Sequence, residues 1–566
     1  MKRKYVKSFL AAALAGVMAL GLAACGSDST DSSKTGSSTT ESSTAGGTDE
    51  LYWFSDVSGW GPSTANWKTE ESPATKYIEE NFGLTLNVEQ PPTDASTKLG
   101  LMIASGDLPD LMSITDSDMY KQLVSAGKVW DMKTFLETYD PDSHLLKDFP
   151  EDIKQALVDT YGDWYSYPSH MESADNRETF VPDDQVWVDV VEKGDNSCIM
   201  FNKDIMDAVG ITEDDVKTEE GFYAACEKVK ASGYTVEGQS VLPVVLHADQ
   251  WINNSLDAVI SNNFGVVPVD ANGNYVHKET TPGYKNALKF VNNLIQKGYL
   301  DVNTMTIDET ALKTYLDAKR VFCWIGNQAQ QDKTDMPWVS YGPIAASNGA
   351  KPVLGKDLSA GTGWIQTLVS KDCKNPEKIA KMISWLSSKE GLMSNYYGVE
   401  GTDYTVDEKG IVTRTEEGTK SYAENYNNNI MMWPFANTSF ERSTEPVPEA
   451  NTNRGEEVQL MTAFGKCENT YIYDSSLLSF QNSQVLEPSS DLGLKLGQIK
   501  TYLESEKTKI VTAGSDDAFE KEYQSMLDTL DSYSIKEIDA EYDKVYKEYC
   551  EKKGTSIEDV NADLYK

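Results

Sequence analysis

Residues 84–114 read LTLNVEQPPTDASTKLGLMIASGDLPDLMSI. Leu84, Leu86 and Val88 alternate with polar neighbours, the two-residue period of a strand with one buried face. From about Asp94 to Ala104 the pattern becomes helical. Ser105-Gly106-Asp107-Leu108-Pro109-Asp110 is loop chemistry, and Leu111 to Ile114 is a second apolar strand. Strand, helix and strand in so short a span are the unit of an α/β body with a largely parallel sheet, joined by right-handed crossovers.

The same alternation extends both ways. Upstream, Leu51-Tyr52-Trp53-Phe54 suits a first strand, and Gly59, Gly61 and Pro62 turn the chain. Ser72-Pro73 is a helix start, a capping hydroxyl followed by proline, for a helix reaching about Asn81. Downstream, helices are expected over 117–126, with a stop at Gly127, and near 133–138. Cys198 to Phe201 is a strand feeding a helix to Val209, with Gly210 as its stop. Further helices are expected over 219–231, 284–297, 308–318 and 376–387, and strands over 241–246 and 321–325. The C-terminal part is mostly helical: 516–530 and 536–552 are amphipathic, with Phe519, Tyr523, Met526, Leu527 and Leu530 on one stripe.

The first fifty residues differ from the rest. Lys2, Arg3, Lys4 and Lys7 precede an apolar run from Phe9 to Ala24 that ends in Leu22-Ala23-Ala24-Cys25. This is the layout of a secretory signal, shorter than the ~20 apolar residues a spanning helix needs. The tetrad resembles a bacterial lipobox, which implies diacylglycerol on the Cys25 thiol and anchorage at the outer face of the cell membrane. Residues 26–50, rich in Ser, Thr, Gly and Asp, have no core-forming side chains and read as a flexible tether.

Charge and composition exclude several functions. The 566 residues carry a formal charge of −38, and losing the four leader cations takes it to −42. Such a surface repels nucleic acid and anionic lipid heads. Seven cysteines are dispersed without zinc-like spacing, and four histidines show no HExxH or HxH pattern, so no metal site and no cofactor are expected. With Cys25 lipidated, the other six cysteines read as small buried apolar residues. There is no GxSxG elbow and no Walker A loop.

Twelve tryptophans are present. Sugars present apolar C–H faces ringed by hydroxyls, so a sugar receptor combines flat aromatic platforms with polar side chains at the ring edges. Trp53, Trp60, Trp187, Trp251, Trp324, Trp364 and Trp433 sit at expected strand ends or in loops, where α/β folds bind ligands. Trp130, Trp338 and Trp385 read as core. The run His247-Ala248-Asp249-Gln250-Trp251 mixes hydrogen-bonding groups with an indole after a strand, and Asn327 follows the strand holding Trp324. For each, the competing role is ordinary: an indole packs, an acid is solvated, an asparagine turns the chain.

Several segments, in order, resemble one family. Met102 to Asp110 is similar to its "ASGDLPD" stretch, and Phe201-Asn202-Lys203-Asp204 through Gly210 to its "YNKD…LG" strand and helix. Trp385 to Gly391, then Asn395-Tyr396-Tyr397-Gly398-Val399-Glu400-Gly401, resemble its "W…S.EG…NYGVEG" segment, and Tyr404 to Asp407 continue the match. The family is extracellular solute-binding protein family 1, the large lipoprotein receptors of Gram-positive carbohydrate ABC importers. The resemblance implies a type-2 periplasmic-binding-protein fold, two α/β lobes around a cleft: residues 50–170 with about 360–430 in lobe 1, and about 171–359 with about 431–566 in lobe 2. It implies crossings near 165–198, near 354–363 and after Met431, and it places Glu400 near the cleft. Some members carry an EF-hand-like calcium loop, but Thr212 to Gly238 contains no D-x-[DN]-x-[DN]-G pattern.

Residues and resemblance together indicate a non-catalytic, monomeric receptor that binds an oligosaccharide, delivers it to ABC permease subunits and touches the membrane through its lipid only. A surface-anchored glycoside hydrolase hiding a carboxylate pair among 89 acids is the alternative from another class. A sensory or adhesive binding protein on the same fold is the third.

Overall fold

A computed structural model describes residues 48–57, 72–91, 95–330, 337–358, 360–361, 363–426, 432–480 and 485–566. The chain divides into two units, Met1–Gly47 and Thr48–Lys566, and the second carries the fold. Its main strands are β1 (Asp49–Ser55), β2 (Leu84–Glu89), β3 (Leu111–Ile114), β4 (Ser166–Pro168), β5 (Glu172–Ser173), β6 (Ser197–Asn202), β7 (Leu242–Leu246), β8 (Val321–Asn327), β9 (Trp338–Val339), β10 (Val353–Lys356), β11 (Ala360–Gly361), β12 (Gln366–Val369) and β13 (Tyr471–Asp474).

Two sheets organise these strands. The first has the order β2-β1-β3-β12-β4 and the second β9-β6-β8-β7. In the first, β1 runs parallel to β2 and β3, with Trp53 opposite Val88 and Leu111. β12 is antiparallel to β3 and β4, with Leu368 opposite Met112 and Ser166. In the second, β6 is antiparallel to β8 and β9, while β7 and β8 are parallel. Both sheets are therefore mixed, where a largely parallel sheet was expected. The reason is topological: β12 is inserted late, by a chain returning from the second sheet, and enters between β3 and β4 from their carboxyl ends.

Local chemistry sets the helix ends. The Ser72 hydroxyl accepts from the Thr75 amide, Pro73 fills the first turn, and Gly83 at φ 60° closes the helix Pro73–Phe82. Asn202 caps Lys203–Val209 in the same way, ending at Gly210 with φ 73°. Side-chain alternation divides the core. Ile199, Phe201, Cys323 and Ile325 face the core shared with the C-terminal helices, while Met200 and Trp324 face the opposite layer.

Three long helices, Asp491–Val511, Asp516–Ser532 and Ile535–Lys553, form the C-terminal region. Phe519, Tyr523, Met526, Leu530, Ile538 and Tyr542 join the second sheet's core. Each fully buried side chain of this kind contributes about 1.5–3 kcal/mol. A buried ion cluster lies beneath them: the Lys507 ammonium is 2.9 Å from Glu279 and 3.4 Å from Asp257. Burial alone would raise the Glu279 carboxyl, but the Lys507 and Lys278 ammonium groups outweigh it and hold it at about 2. Cys198, Cys226 and Cys323 are buried free thiols.

The strands of the two sheets are joined by two segments, 169–196 and 357–365, and the chain passes over a third time between Phe435, in the first sheet's core, and the helix Asn453–Ala463, whose Leu460 packs on the second. Within the two joining segments β5 and β11 pair antiparallel, Ser173 with Ala360 and Glu172 with Gly361. Glu172 also forms an ion pair with buried Arg442. The outgoing segment leaves the first sheet at the carboxyl end of β4. The returning one enters at the amino end of antiparallel β12, which is the same edge. The carboxyl ends of β1, β2, β3 and β4 therefore share that edge. In the second sheet the passage enters at the amino end of β6, which places the carboxyl ends of β7 and β8 beside it.

Candidate functional site: two strand edges at the crossing segments

At the first sheet's edge, Gly363 sits at φ +61°, and a Cβ there would fall 1.5 Å from the Ser169 carbonyl oxygen. Only glycine allows this approach, and it sets Trp364 immediately beside the end of β4. The Trp364 ring lies 5.9 Å from His170 and 6.1 Å from Trp433, the latter edge-on at 61°. Trp364 is 37% exposed, the only exposed tryptophan among the described residues. His170 holds φ 48°, rare for a side chain with a Cβ. Its amide donates to the Ala436 carbonyl at 2.5 Å, and its Nδ1 lies 2.9 Å from the Ser169 hydroxyl. Burial lowers the imidazole to about 4, so it is neutral at ordinary pH.

Polar groups line the same edge. Gln366 accepts from the Ser166 hydroxyl at 2.8 Å and donates to the Gly363 carbonyl at 3.3 Å. Asp56, just past β1, accepts from the Thr115 amide and hydroxyl and from the Asp116 amide. Burial raises its carboxyl, partly offset by those hydrogen bonds.

At the second edge, the His247 imidazole is buried at the end of β7. Its Nδ1 accepts from the Asn327 amide at 3.3 Å, and its Nε2 stands 3.8 Å from Glu309. A Cβ on Gly326 would meet Trp324 Nε1 at 2.7 Å and His247 Nδ1 at 3.0 Å, so this crowding requires glycine. Asp249 is exposed, with its amide donating to the Ile307 carbonyl. Gln250 donates to Glu309 at 3.2 Å. Asn327 is partly exposed and accepts from the Ala329 amide at 3.0 Å.

The sequence candidates thus separate. Trp364 and Trp433 are brought together at the first edge; His247, Asp249 and Asn327 are brought together at the second. Trp53 is fully buried, its indole donating to the Ser113 hydroxyl at 2.8 Å. Trp187 is buried beneath Arg454 and donates to the Glu445 carbonyl at 3.1 Å. Trp251 and Trp324 are core residues of the second sheet. All four offer packing surface rather than an open face. Glu400 is exposed in a turn before the hairpin formed by Tyr404–Val406 and Val412–Arg414, and among the described residues no contact ties it to either strand edge. Trp60 and Cys25 lie outside the described residues.

The sequence carries no signal that brings His170, Gln366 or Thr115 to this edge; Asp56 has one, its place directly after the first strand. A cavity of about 740 Å³ also opens beside β4, lined by Tyr167, Phe180, Phe440, Asn176 and Asn437, but it includes no residue of the two edges. Among the described residues, no group of three or more His, Cys, Asp or Glu could hold a metal ion, and no helix is long and apolar enough to cross a membrane.

The model of one protein family, bacterial extracellular solute-binding protein, matches residues 61–393. The chain belongs to that family. Its members bind solutes and do not transform them. Solved structures agree on the fold, a type-2 periplasmic-binding-protein architecture. The FusA substrate-binding protein of Streptococcus pneumoniae, in complex with kestose, aligns with a TM-score of 0.67 at 16% identity, covering 89% of this chain and 100% of that one. A solute-binding protein from Bifidobacterium longum infantis, described as binding HMO, aligns at 0.61 with 16% identity, covering 89% and 99%. The N-glycan transport solute-binding protein NgtS of Streptococcus pneumoniae aligns at 0.55 with 18% identity, covering 89% and 99%. No curated protein matches this solute-binding chain.

Proposed function

We propose that this solute-binding protein is the lipid-anchored receptor of an ABC importer and that it captures an oligosaccharide between two lobes built on the two sheets. Cys25 carries the lipid, the residues after it tether the body, and closure about the crossing segments brings the two strand edges onto the ligand. The observation that carries this reading is the exposed Trp364 indole, flanked by Trp433 and His170, at the strand ends. That is where α/β folds bind ligands. An exposed indole with a second ring held edge-on suits the C–H face of a pyranose or furanose. Asp249 and Asn327 supply acceptors and donors for the hydroxyls around it. The FusA, HMO-binding and NgtS proteins, each described as binding a glycan, support the ligand class.

Calorimetric titration of the full chain with an oligosaccharide panel tests this, with the glycans recovered and weighed by mass spectrometry. Binding at micromolar Kd or tighter with intact glycan is expected. Shortened glycan, or no binding across the panel, would overturn it. The anchor is tested separately: Cys25→Ser is expected to release the protein from cells into the medium, and retention on the membrane would show that no lipid on Cys25 is needed.

A further inference from the structure

Resting on the oligosaccharide reading, we infer that the cleft selects uncharged glycans and turns away those that carry carboxylates. The sign of the charge at both strand edges carries this. The first edge presents Asp56, Glu89 and Asp116 at the ends of β1, β2 and β3; the second presents Asp249 and, beside it, Glu309. The outgoing crossing, residues 169–196, holds eight acids against two bases; Glu172, Asp183 and Asp189 are paired with Arg442, Lys409, Lys193 and Lys466, and the others have no ion pair among the described residues.

The described cations near these ends are already engaged. Lys98 pairs with Glu89. Lys193 is 3.0 Å from Asp189. Lys356 donates to the Gly194 carbonyl at 2.6 Å and faces Asp195 and Asp357. Arg177 donates to the Leu358 carbonyl at 2.6 Å and faces Asp152, Glu192 and Asp357. His170, the one imidazole beside the exposed indole, sits neutral among Ser169, Trp364 and the Ala436 carbonyl.

A receptor for uronates or sialates needs a cation, best of all an arginine fork that grips both carboxylate oxygens. Among the described cations at these edges, Lys98 and Lys193 are held in ion pairs, and Lys356 and Arg177 each donate to a backbone carbonyl and feel the field of two or more carboxylates. A carboxylate on the ligand would instead come within a Debye length, about 8–10 Å, of several like charges, and closure would desolvate it as well. The same acids suit a neutral sugar, since every hydroxyl has a proton to give and an ionised acceptor binds it most strongly.

Matched pairs test the charge with little change of size: sialyllactose methyl ester with sialyllactose, methyl-esterified oligogalacturonate with its free acid, and neutral oligosaccharides with their forms oxidised at a terminal C6. Titrating the full chain at low ionic strength, the neutral member of a bound pair is expected to bind at least about a hundredfold more tightly. The gap is expected to narrow as salt is raised and in the double variant Asp249→Asn, Glu309→Gln. Equal or tighter binding of the acidic member overturns the inference and leaves the oligosaccharide reading standing. A gap that responds to neither salt nor the double variant overturns its electrostatic origin. Tighter binding of a deacetylated, cationic chito-oligosaccharide than of its acetylated form overturns selection for uncharged ligands. Absence of binding by both members of every pair overturns the oligosaccharide reading itself.

Discussion

The two strand edges meet at the same crossing segments but equip themselves differently. At the first, Gly363 swings Trp364 out of the ladder two residues before β12 begins, and Trp433 and His170 support it, so an indole face stays exposed. At the second, Trp251 and Trp324 are turned inward to fill the core, and the groups left outside are Asp249, Gln250 and Asn327. One edge offers a flat apolar surface and the other offers hydrogen bonds. A sugar needs both, one against its C–H face and the other against its rim. On the proposed reading, which puts the two edges on separate lobes, full recognition would come only on closure, and that would give a ligand the differential affinity closure requires.

The sharpest way to break the comparison is to truncate one indole from each edge. Trp324→Ala, fully buried, is expected to cost about 3–5 kcal/mol of stability through lost burial and a residual cavity. Denaturant unfolding measures this, and a loss below about 1 kcal/mol would show that the second edge also presents an open ring. Trp364→Ala is expected to leave the melting temperature unchanged and weaken glycan binding tenfold to a hundredfold, about 1.4–2.7 kcal/mol by calorimetry. Unchanged affinity would remove the first edge's platform from the site.

That contrast marks what the sequence could and could not say. The elements themselves were legible wherever their signals are local. Ser72-Pro73 and Gly83 bound one helix, and Asn202 and Gly210 bound another, because caps act over three or four residues. The fates of Trp324 and Trp364 were not legible, since both stand beside apolar strands. β8 is buried on both faces, so alternation carries no sign of which side chains reach solvent. Trp364 is exposed because Gly363 packs against Ser169, a residue nearly two hundred positions away in the chain. His170 gave no warning of its left-handed backbone, a conformation held by its contacts with Ala436 and Ser169 rather than by its own propensity. The antiparallel insertion of β12 was invisible for the same reason: its partners β3 and β4 lie far earlier in the chain, with the whole second sheet between.

A smaller effect is expected at the polar edge. Asp249→Ala removes an exposed acceptor whose side chain makes no hydrogen bond among the described residues to hold the fold together. It should weaken binding about threefold to tenfold, the worth of one hydrogen bond at about 0.5–1.5 kcal/mol, without altering stability. A loss as large as that from Trp364→Ala would mean that the two edges share recognition equally, and the division into platform and rim would have to be redrawn.

The smallest effect is predicted where chemistry would suggest a large one. His170 touches the exposed indole, and a histidine beside a ligand usually makes binding pH-dependent. Here burial depresses the imidazole from its ordinary 6.5 to about 4. Between those values the unfolded chain binds a proton that the folded chain refuses, so stability rises with pH through that window and is flat above 6.5. Glycan affinity should accordingly stay constant from about pH 5.5 to 8, because the first edge gains no charge over that range. Calorimetry across the range, with NMR titration of the imidazole, checks both statements. A midpoint near 6.5 in either would mean the ring is solvated and acquires a proton beside Trp364. The platform itself would then gain a positive charge on mild acidification, and binding at the first edge would depend on pH.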